Sequence, residues 1–441
     1  MQDSIVQSQQ GEHAVSSNDA AELRKRAIAV GIGNFMEWFD FAIYGYFAAV
    51  IGQLFFPSTA PGVSLLSSLA VFAVGFLSRP LGAVVLGPIG DKLGRRAVLI
   101  ITVFGMGLAT TLIGLLPGYA AIGIAAPILL VALRFLQGMM VGGEWSSAGI
   151  YIVESAPANR RATAASVITG TASAAFLCGT AIAAIITATL SDADLMAWGW
   201  RVPFVASIIM AGVAMYIRRK LGDTPVYEAL QHKRATGAVE QVSRGAKQRA
   251  FVVSFAFSAL FGVSLYYFIT YANTHLTQTV GLSKSTALVL CSLSLVLYTL
   301  FNPLVGRLSD RFGRRPFVLT AAAGLTLLAY PVFLLMNTGS FAAILLGLVI
   351  MAALVAITAV MDVVLLVEVF PASIRSTGAA VGHNVALALL AGPGPFIAVA
   401  LIQATHNPNI PAAYLAAVSL ICFIVLWFLL PETKDRDITH G

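Results

Sequence analysis

From Ala27 onward the chain reads as a succession of apolar runs, each about twenty residues long and apolar on every side rather than in alternation. Twelve such runs begin near residues 27, 65, 97, 122, 163, 201, 250, 285, 316, 341, 375 and 411. A hydrocarbon core of about 30 Å takes about 20 helical residues at about 1.5 Å each, so every run is long enough to cross a bilayer. Barrel strands would alternate apolar and polar positions, which these runs do not. The pattern predicts an all-α integral membrane protein with twelve transmembrane helices. The first run follows a polar tail, residues 1–23, and lacks a small-residue cleavage site after a short core. It is expected to remain as a helix rather than to be removed as a signal peptide.

Composition agrees: of 441 residues 58% are hydrophobic and 11% charged, with a mean hydropathy of +0.85, against about 25% charged in a soluble domain. A net charge of +7 would by itself suit nucleic acid, but the placement of the charges excludes that use. Of the 27 Lys and Arg, 23 fall in the tails or in alternate loops, from Arg24–Arg26 through Arg218–Lys220 to Lys434 and Arg436. The positive-inside rule then puts both termini in the cytoplasm. The basic balance reports topology, so the expected partners are the lipid bilayer of the cell membrane and a small molecule, with no nucleic acid. Cys178, Cys291 and Cys422 are too few and too scattered for a disulfide framework or a metal site.

The chain repeats itself. Gly87-Pro-Ile-Gly-Asp91-Lys-Leu-Gly94-Arg95-Arg96 returns 219 residues later as Gly306-Arg-Leu-Ser-Asp310-Arg-Phe-Gly313-Arg314-Arg315. Val153-Glu154-x-x-Pro157-Ala158-x-x-Arg161-x-Thr163 returns 214 residues later around Glu368, Pro371, Arg375 and Thr377. Two motifs repeated in the same order imply two six-helix halves, 24–220 and 250–431, joined by a polar linker, 221–249, and followed by a short tail, 432–441. The aspartates suit a helix N-terminus or a neighbouring arginine. Asp91, Arg95, Glu154 and Arg161, with Asp310, Arg314, Glu368 and Arg375, are therefore expected to form a cytoplasmic gate of ion pairs that breaks when the inner face opens.

These motifs, with Pro431-Glu432-Thr433-Lys434, resemble the major facilitator superfamily over essentially the whole chain. Gly33-Asn34-x-x-Glu37-Trp38-Phe39-Asp40-Phe41, Arg134-Phe-Leu-Gln137-Gly138 before Gly142-Gly143-Glu144, and Trp198-Gly-Trp200-Arg201-Val-Pro203-Phe204 narrow the resemblance to the metabolite:proton symporters. The second half, with Tyr266-Tyr267 before Thr270-Tyr271 and Pro411-Ala-Ala-Tyr414, is most similar to the proline/betaine branch. The resemblance implies a secondary transporter working by alternating access, with a proton as coupling ion. It leaves di- and tricarboxylates and shikimate as the alternative cargo.

Ionisable residues inside the membrane carry the candidate chemistry, because an isolated charge at mid-bilayer costs at least about 2.5 kcal/mol and needs a partner or a cavity. Glu37 and Asp40 lie about 15 and 20 Å along the first helix from Ala27 and share a face at i,i+3 spacing. Two desolvated, mutually repelling carboxylates favour proton uptake. Arg134, with Gln137 on its face, is expected to bind a substrate carboxylate in competition with Asp40 or Glu37; Arg79 is a second candidate. Glu144 is assigned to the proton path. Trp38, Tyr44, Tyr267 and Tyr271 are expected to face a cationic group on the substrate, with Asn273 as a polar neighbour. Asp362, His383 and Asn384 are the intramembrane polar residues of the second half, and the lone histidine reads first as a packing residue. Gly392-Pro393-Gly394-Pro395 should break the eleventh helix. No Ser/His or His-Glu-x-x-His spacing suggests an enzyme, and no Gly-x-x-x-x-Gly-Lys-Ser/Thr loop suggests ATP use. No cofactor is expected, and the chain is expected to work as a monomer.

Overall fold

The computed structural model describes residues 17–58, 63–237 and 242–439. Its first half comprises α1 (Ser17–Phe55), α2 (Val63–Leu77), α3 (Arg79–Leu93), α4 (Arg95–Leu115), α5 (Ala125–Glu154), α6 (Arg161–Thr189) and α7 (Arg201–Arg219). A linker helix, α8 (Pro225–Ala235), leads to α9 (Arg244–Tyr266), α10 (Lys284–Phe312), α11 (Arg315–Asn337), α12 (Phe341–Glu368), α13 (Arg375–Ala386), α14 (Gly394–Thr405) and α15 (Ile410–Leu429). Eleven described spans are long and apolar enough to cross a membrane. The twelfth is the broken pair α13 and α14, interrupted by a π-helical turn, Leu387–Ala391, just before Gly392-Pro393.

Helix α1 starts ten residues before the apolar run, so the end of the polar tail is already helical, with Glu22 pairing Arg26 one turn on at 3.2 Å. The rest of that tail, residues 1–16, lies outside the described residues. Thr224 caps α8 by accepting the Tyr227 N–H, which accounts for a helix within the polar linker.

Large apolar side chains such as Leu77, Val84, Ile209, Leu304, Leu327 and Phe428 point outward, the belt a lipid-facing surface requires. Inside, small residues let backbones touch. A Cβ on Gly138 would fall 2.0 Å from the Gly75 carbonyl oxygen, and one on Gly142 would fall 2.1 Å from that of Arg79, so α5 lies directly against α2 and α3. The halves meet where α3 packs on α13 and α6 on α10, with α5 against α12 and α13.

Candidate functional site

In the first half, α1, α4 and α5 bring four polar side chains to one buried point. Arg134 Nη1 donates to Asp40 Oδ2 at 2.7 Å. Asp40 Oδ1 accepts from Gln137 Nε2 at 3.0 Å and from Thr110 Oγ1 at 3.1 Å. The guanidinium lies 3.5 Å from the centre of the Tyr44 ring, whose hydroxyl donates to the Ser68 carbonyl. Arg134 and Asp40 are almost wholly buried, yet Arg134 Nε and Nη2 and Gln137 Oε1 have no hydrogen-bond partner. Buried donors left open are costly, so the cluster holds unspent capacity for an anion.

Glu37 does not join that pair. Its Oε2 is buried without a partner. Arg79 lies over the Phe76 and Phe41 rings, at 4.4 and 5.0 Å, with Nε and Nη2 also unpartnered. Glu144, expected in the proton path, is instead held by Arg218 Nη2 at 2.5 Å and by the Thr102 hydroxyl. Arg218 also donates to the carbonyls of Ala29 and Val30. Counted from sequence as a loop charge, Arg218 is fully buried and ties α7 to α1 and α5.

The aromatic residues divide. Trp38 and Trp145 meet edge to face at 6.0 Å and, with Phe261, Leu265 and Tyr298 of the second half, line a cavity of about 20 Å³ between the halves. That space holds roughly one water. Tyr267 and Tyr271 are not brought there; they pack 5.1 Å apart in the second half, beside Phe333. Asn273, two residues beyond Tyr271, is only half-buried. Tyr266 is the tyrosine that faces the first half, edge-on to Phe76 at 5.4 Å.

Asp362, His383 and Asn384 sit at the boundary between halves. Asp362 accepts from Ser258 Oγ at 2.6 Å, from Trp145 Nε1 at 3.0 Å and contacts His383 Nδ1 at 3.1 Å. Asn384 Nδ2 donates to the Gly142 carbonyl at 2.8 Å.

On the face that carries the linker and the tail, the repeated motifs interlock across the halves. Asp91 accepts the backbone N–H of Ser376 and Thr377 and the Thr377 hydroxyl, at 2.9, 3.0 and 2.6 Å. Asp310 does the same for Ala162 N, Thr163 N and Thr163 Oγ1, at 2.9, 2.8 and 2.7 Å. Each aspartate thus caps the first turn of a helix belonging to the other half. Glu154 accepts from Arg95 at 3.3 Å and from Arg375, across the boundary, at 2.6 Å. Glu368 accepts from Arg314 at 3.3 Å, with Arg161 of the other half 3.8 Å away. Gly94 and Gly313 take φ of 98° and 105°, a left-handed turn that favours glycine and explains both motif positions.

A third repeated pair was legible but unread. Asp223-Thr224 and Glu432-Thr433 stand 209 residues apart. Asp223 accepts the Arg95 N–H and Glu432 those of Arg314 and Arg315, while Thr224 and Thr433 donate to Glu154 and Glu368 at 2.5 and 2.6 Å. Burial pushes the Asp223 carboxyl up from its ordinary range. Burial also raises Glu432, but the N–H groups of Arg314, Lys434, Arg315 and Thr433 outweigh it and hold that carboxyl below its usual range. Beyond Glu432 the tail crosses the face as a strap: Arg161 donates to the Arg436 carbonyl, Arg375 to that of Ile438, and Lys233 to that of Thr439, at 2.8, 2.7 and 3.0 Å.

Two interlocked six-helix halves, polar groups buried at mid-membrane between lipid-facing walls, and a face where ion pairs join the halves suit a secondary transporter rather than an enzyme. Comparison with known proteins gives the family. Residues 26–250 match the family described as "Sugar (and other) transporter", and residues 250–440 match the Major Facilitator Superfamily. The chain is 35% identical to the Proline/betaine transporter of Escherichia coli K12, over 95% of this chain and 86% of that protein. It is 35% identical to the Glycine betaine/proline/ectoine/pipecolic acid transporter OusA of Dickeya dadantii, over 95% and 85% respectively. Among solved structures, the proton:xylose symporter XylE bound to 6-bromo-6-deoxy-D-glucose superposes with a TM-score of 0.82 at 17% identity, covering 96% of this chain and 98% of that one. The inward open conformation of XylE from E. coli scores 0.68 at 17% identity, covering 94% and 98%. The chain belongs to the major facilitator superfamily and is a multi-pass protein of the cell membrane.

Proposed function

We propose that this protein is a proton-coupled symporter of small zwitterions, proline and glycine betaine foremost, working by alternating access. The observation that carries the reading is the Asp40–Arg134 pair, whose guanidinium keeps two buried donors without partners. A substrate carboxylate would satisfy those donors and compete with Asp40. Protonation of Asp40 would release the arginine to the substrate, so the two cargoes would help each other bind. The names of the relatives support proline and betaine. Glu37, buried with Oε2 lacking a partner, supplies a second carboxylate for the proton; Glu144, fixed by Arg218, acts as an anchor for α7.

In this reading the strap face is cytoplasmic, as the positive-inside rule assigns it. The halves 24–220 and 250–431 rock about the linker, and the Asp91 and Asp310 caps with their arginines form the inner gate, which is closed in this structure. The protein acts as a monomer, without a cofactor and without nucleic acid. Arg79 favours one second reading: another buried guanidinium with free donors in the same half would suit a di- or tricarboxylate.

The test is uptake of radiolabelled proline, betaine, 2-oxoglutarate and citrate into proteoliposomes, with and without an inward proton gradient, for wild type and Asp40→Asn. Gradient-driven proline or betaine uptake that the variant loses is the expected result. Gradient-driven uptake of a di- or tricarboxylate alone would transfer the protein to the second reading, and gradient-independent uptake in wild type would remove symport altogether.

A further inference from the structure

The cluster around Asp362 differs from the Asp40 site in one respect: its three donors come from both halves. Ser258 on α9 and His383 on α13 belong to the second half, whereas Trp145 on α5 belongs to the first. All four side chains are buried. The Trp145 indole lies nearly parallel to the Phe261 and His383 rings, at 5.6 and 6.0 Å with interplanar angles of 12° and 15°. Its other side meets Trp38, which lies between Glu37 and Asp40 in the sequence of α1.

We infer that Asp362 and His383 form a second proton-binding site, in the second half, whose occupancy decides whether Trp145 holds the two halves together. The reasoning follows from which groups can change role. An ionised Asp362 accepts from all three donors. When one of its oxygens takes a proton, the serine hydroxyl can turn to accept, and the imidazole can accept at Nδ1 by moving its own proton to Nε2. The indole N–H can only donate. Its hydrogen bond therefore passes from a charged to a neutral acceptor, or is lost, and it is the one bond of the three that spans the halves. The neighbouring Asn384–Gly142 contact also spans them but does not titrate.

The buried charged groups on the helices packed around Asp362 are engaged elsewhere. On α5, Glu144 is bound to Arg218 and Glu154 to Arg95 and Arg375, the last of these from α13. On α12 itself Glu368 is bound to Arg314, and Asp310 on α10 caps α6. On α9, Arg249 donates to the Leu429 carbonyl near the linker end. Among the described residues, His383 is the only basic side chain within 4 Å of Asp362. Asp362 lies six residues, about 9 Å, before the gate end of α12, so separation of the halves on that face must break the Trp145 bond. Protonation at Asp362 thus favours opening of the strap face, the order that proton-driven import requires.

The inference rests on the proton-coupled reading but not on the cargo, and its test uses no substrate. Spin labels are placed at Leu93 and Phe312, equivalent exposed positions of the two halves beside the gate, in a chain with Cys178, Cys291 and Cys422 replaced. Their separation is measured in lipid nanodiscs from pH 5.5 to 8. In wild type the closed fraction should fall as pH falls. Asp362→Asn should lower the closed-to-open ratio at pH 8 about fivefold, the worth of exchanging a charged for a neutral acceptor, toward the wild-type value at pH 5.5. Trp145→Phe should favour opening at every pH and flatten its pH dependence, because the bond that couples Asp362 to the boundary is gone. An Asp362→Asn ratio equal to wild type at pH 8, or a pH dependence of opening in Trp145→Phe as steep as in wild type, would overturn the inference; the Asp40→Asn uptake assay would still stand on its own.

Discussion

Replacing Asp310 by Asn removes one charge and almost no volume; it weakens a cap that spans the halves, together with the 3.0 Å ion pair of that carboxylate to Arg314 in its own half. Asp310 meets three donors at the start of α6, at 2.7 to 2.9 Å. A carboxylate offers an acceptor oxygen to each side; the amide offers one acceptor and one donor, so at least one of the three bonds becomes a donor facing a donor. A buried group left unsatisfied costs about 1–3 kcal/mol. The lost charge at a partly buried helix N-terminus removes up to about 2 kcal/mol. Together the closed state should lose about 2–4 kcal/mol relative to a state in which α6 is uncapped anyway, a shift of about 30-fold to several-hundred-fold. Ser376 offers a reporter that leaves this cap untouched, since it is buried on α13, where its hydroxyl abuts Gly90 of the other half. The rate of maleimide labelling of Ser376→Cys in inside-out vesicles should rise by at least tenfold when Asp310→Asn is added. A rate within twofold of the parent would refute the assignment of Asp310 as a cap holding the halves closed.

Three further outcomes follow from the packing and the charges. Arg218→Ala should lower stability by about 3–5 kcal/mol, because it strands the buried Glu144 carboxylate; a thermal melt in detergent checks it, and Glu144→Gln in the same chain should recover part of the loss. Gly142→Ala should reduce the melting temperature and the yield of folded protein, since the added carbon would fall 2.1 Å from a backbone oxygen and overpacking costs about 1–3 kcal/mol. Glu432 has a lowered folded value, so the tail docking it supports is fully present above the ordinary glutamate value of about 4.3 and is lost as pH falls through the lower folded value. Protease cleavage after Lys434 should therefore stay slow from pH 8 down to 5 in wild type and become fast across that range in Glu432→Gln.

The spans, the halves and the gate motifs were readable because hydropathy and repetition are properties of the chain itself. The ion pairs of Glu154 and Glu368 with the motif arginines followed from spacing, and so did the break at Gly392-Pro393. What sequence left hidden depends on which helices touch. Asp91 and Asp310 could be placed near a helix start, but not at one in the opposite half. Arg218 passed for a loop charge because a residue at a helix end has the same hydropathy signature whether it points outward or back along the bundle. The tyrosines make the same point within one helix: Tyr266 meets Phe76 of the first half, whereas Tyr267 and Tyr271 pack beside Phe333 of the second, a division that residue type alone does not give.

The exchanged caps bear on how such a chain could have arisen. Asp91 acts on the second half and Asp310 on the first, through the same donors in the same order. Two identical six-helix units related by a two-fold axis would make both contacts with a single motif, since in an isologous interface whatever residue i does to the partner the partner does in return. The closing device is therefore complete in a homodimer of half-length chains and needs no linker to specify it. Fusion of the two copies would free each half to change its interior separately, which is the asymmetry seen here: Arg134 and Asp40 on one side, Asp362 and His383 on the other.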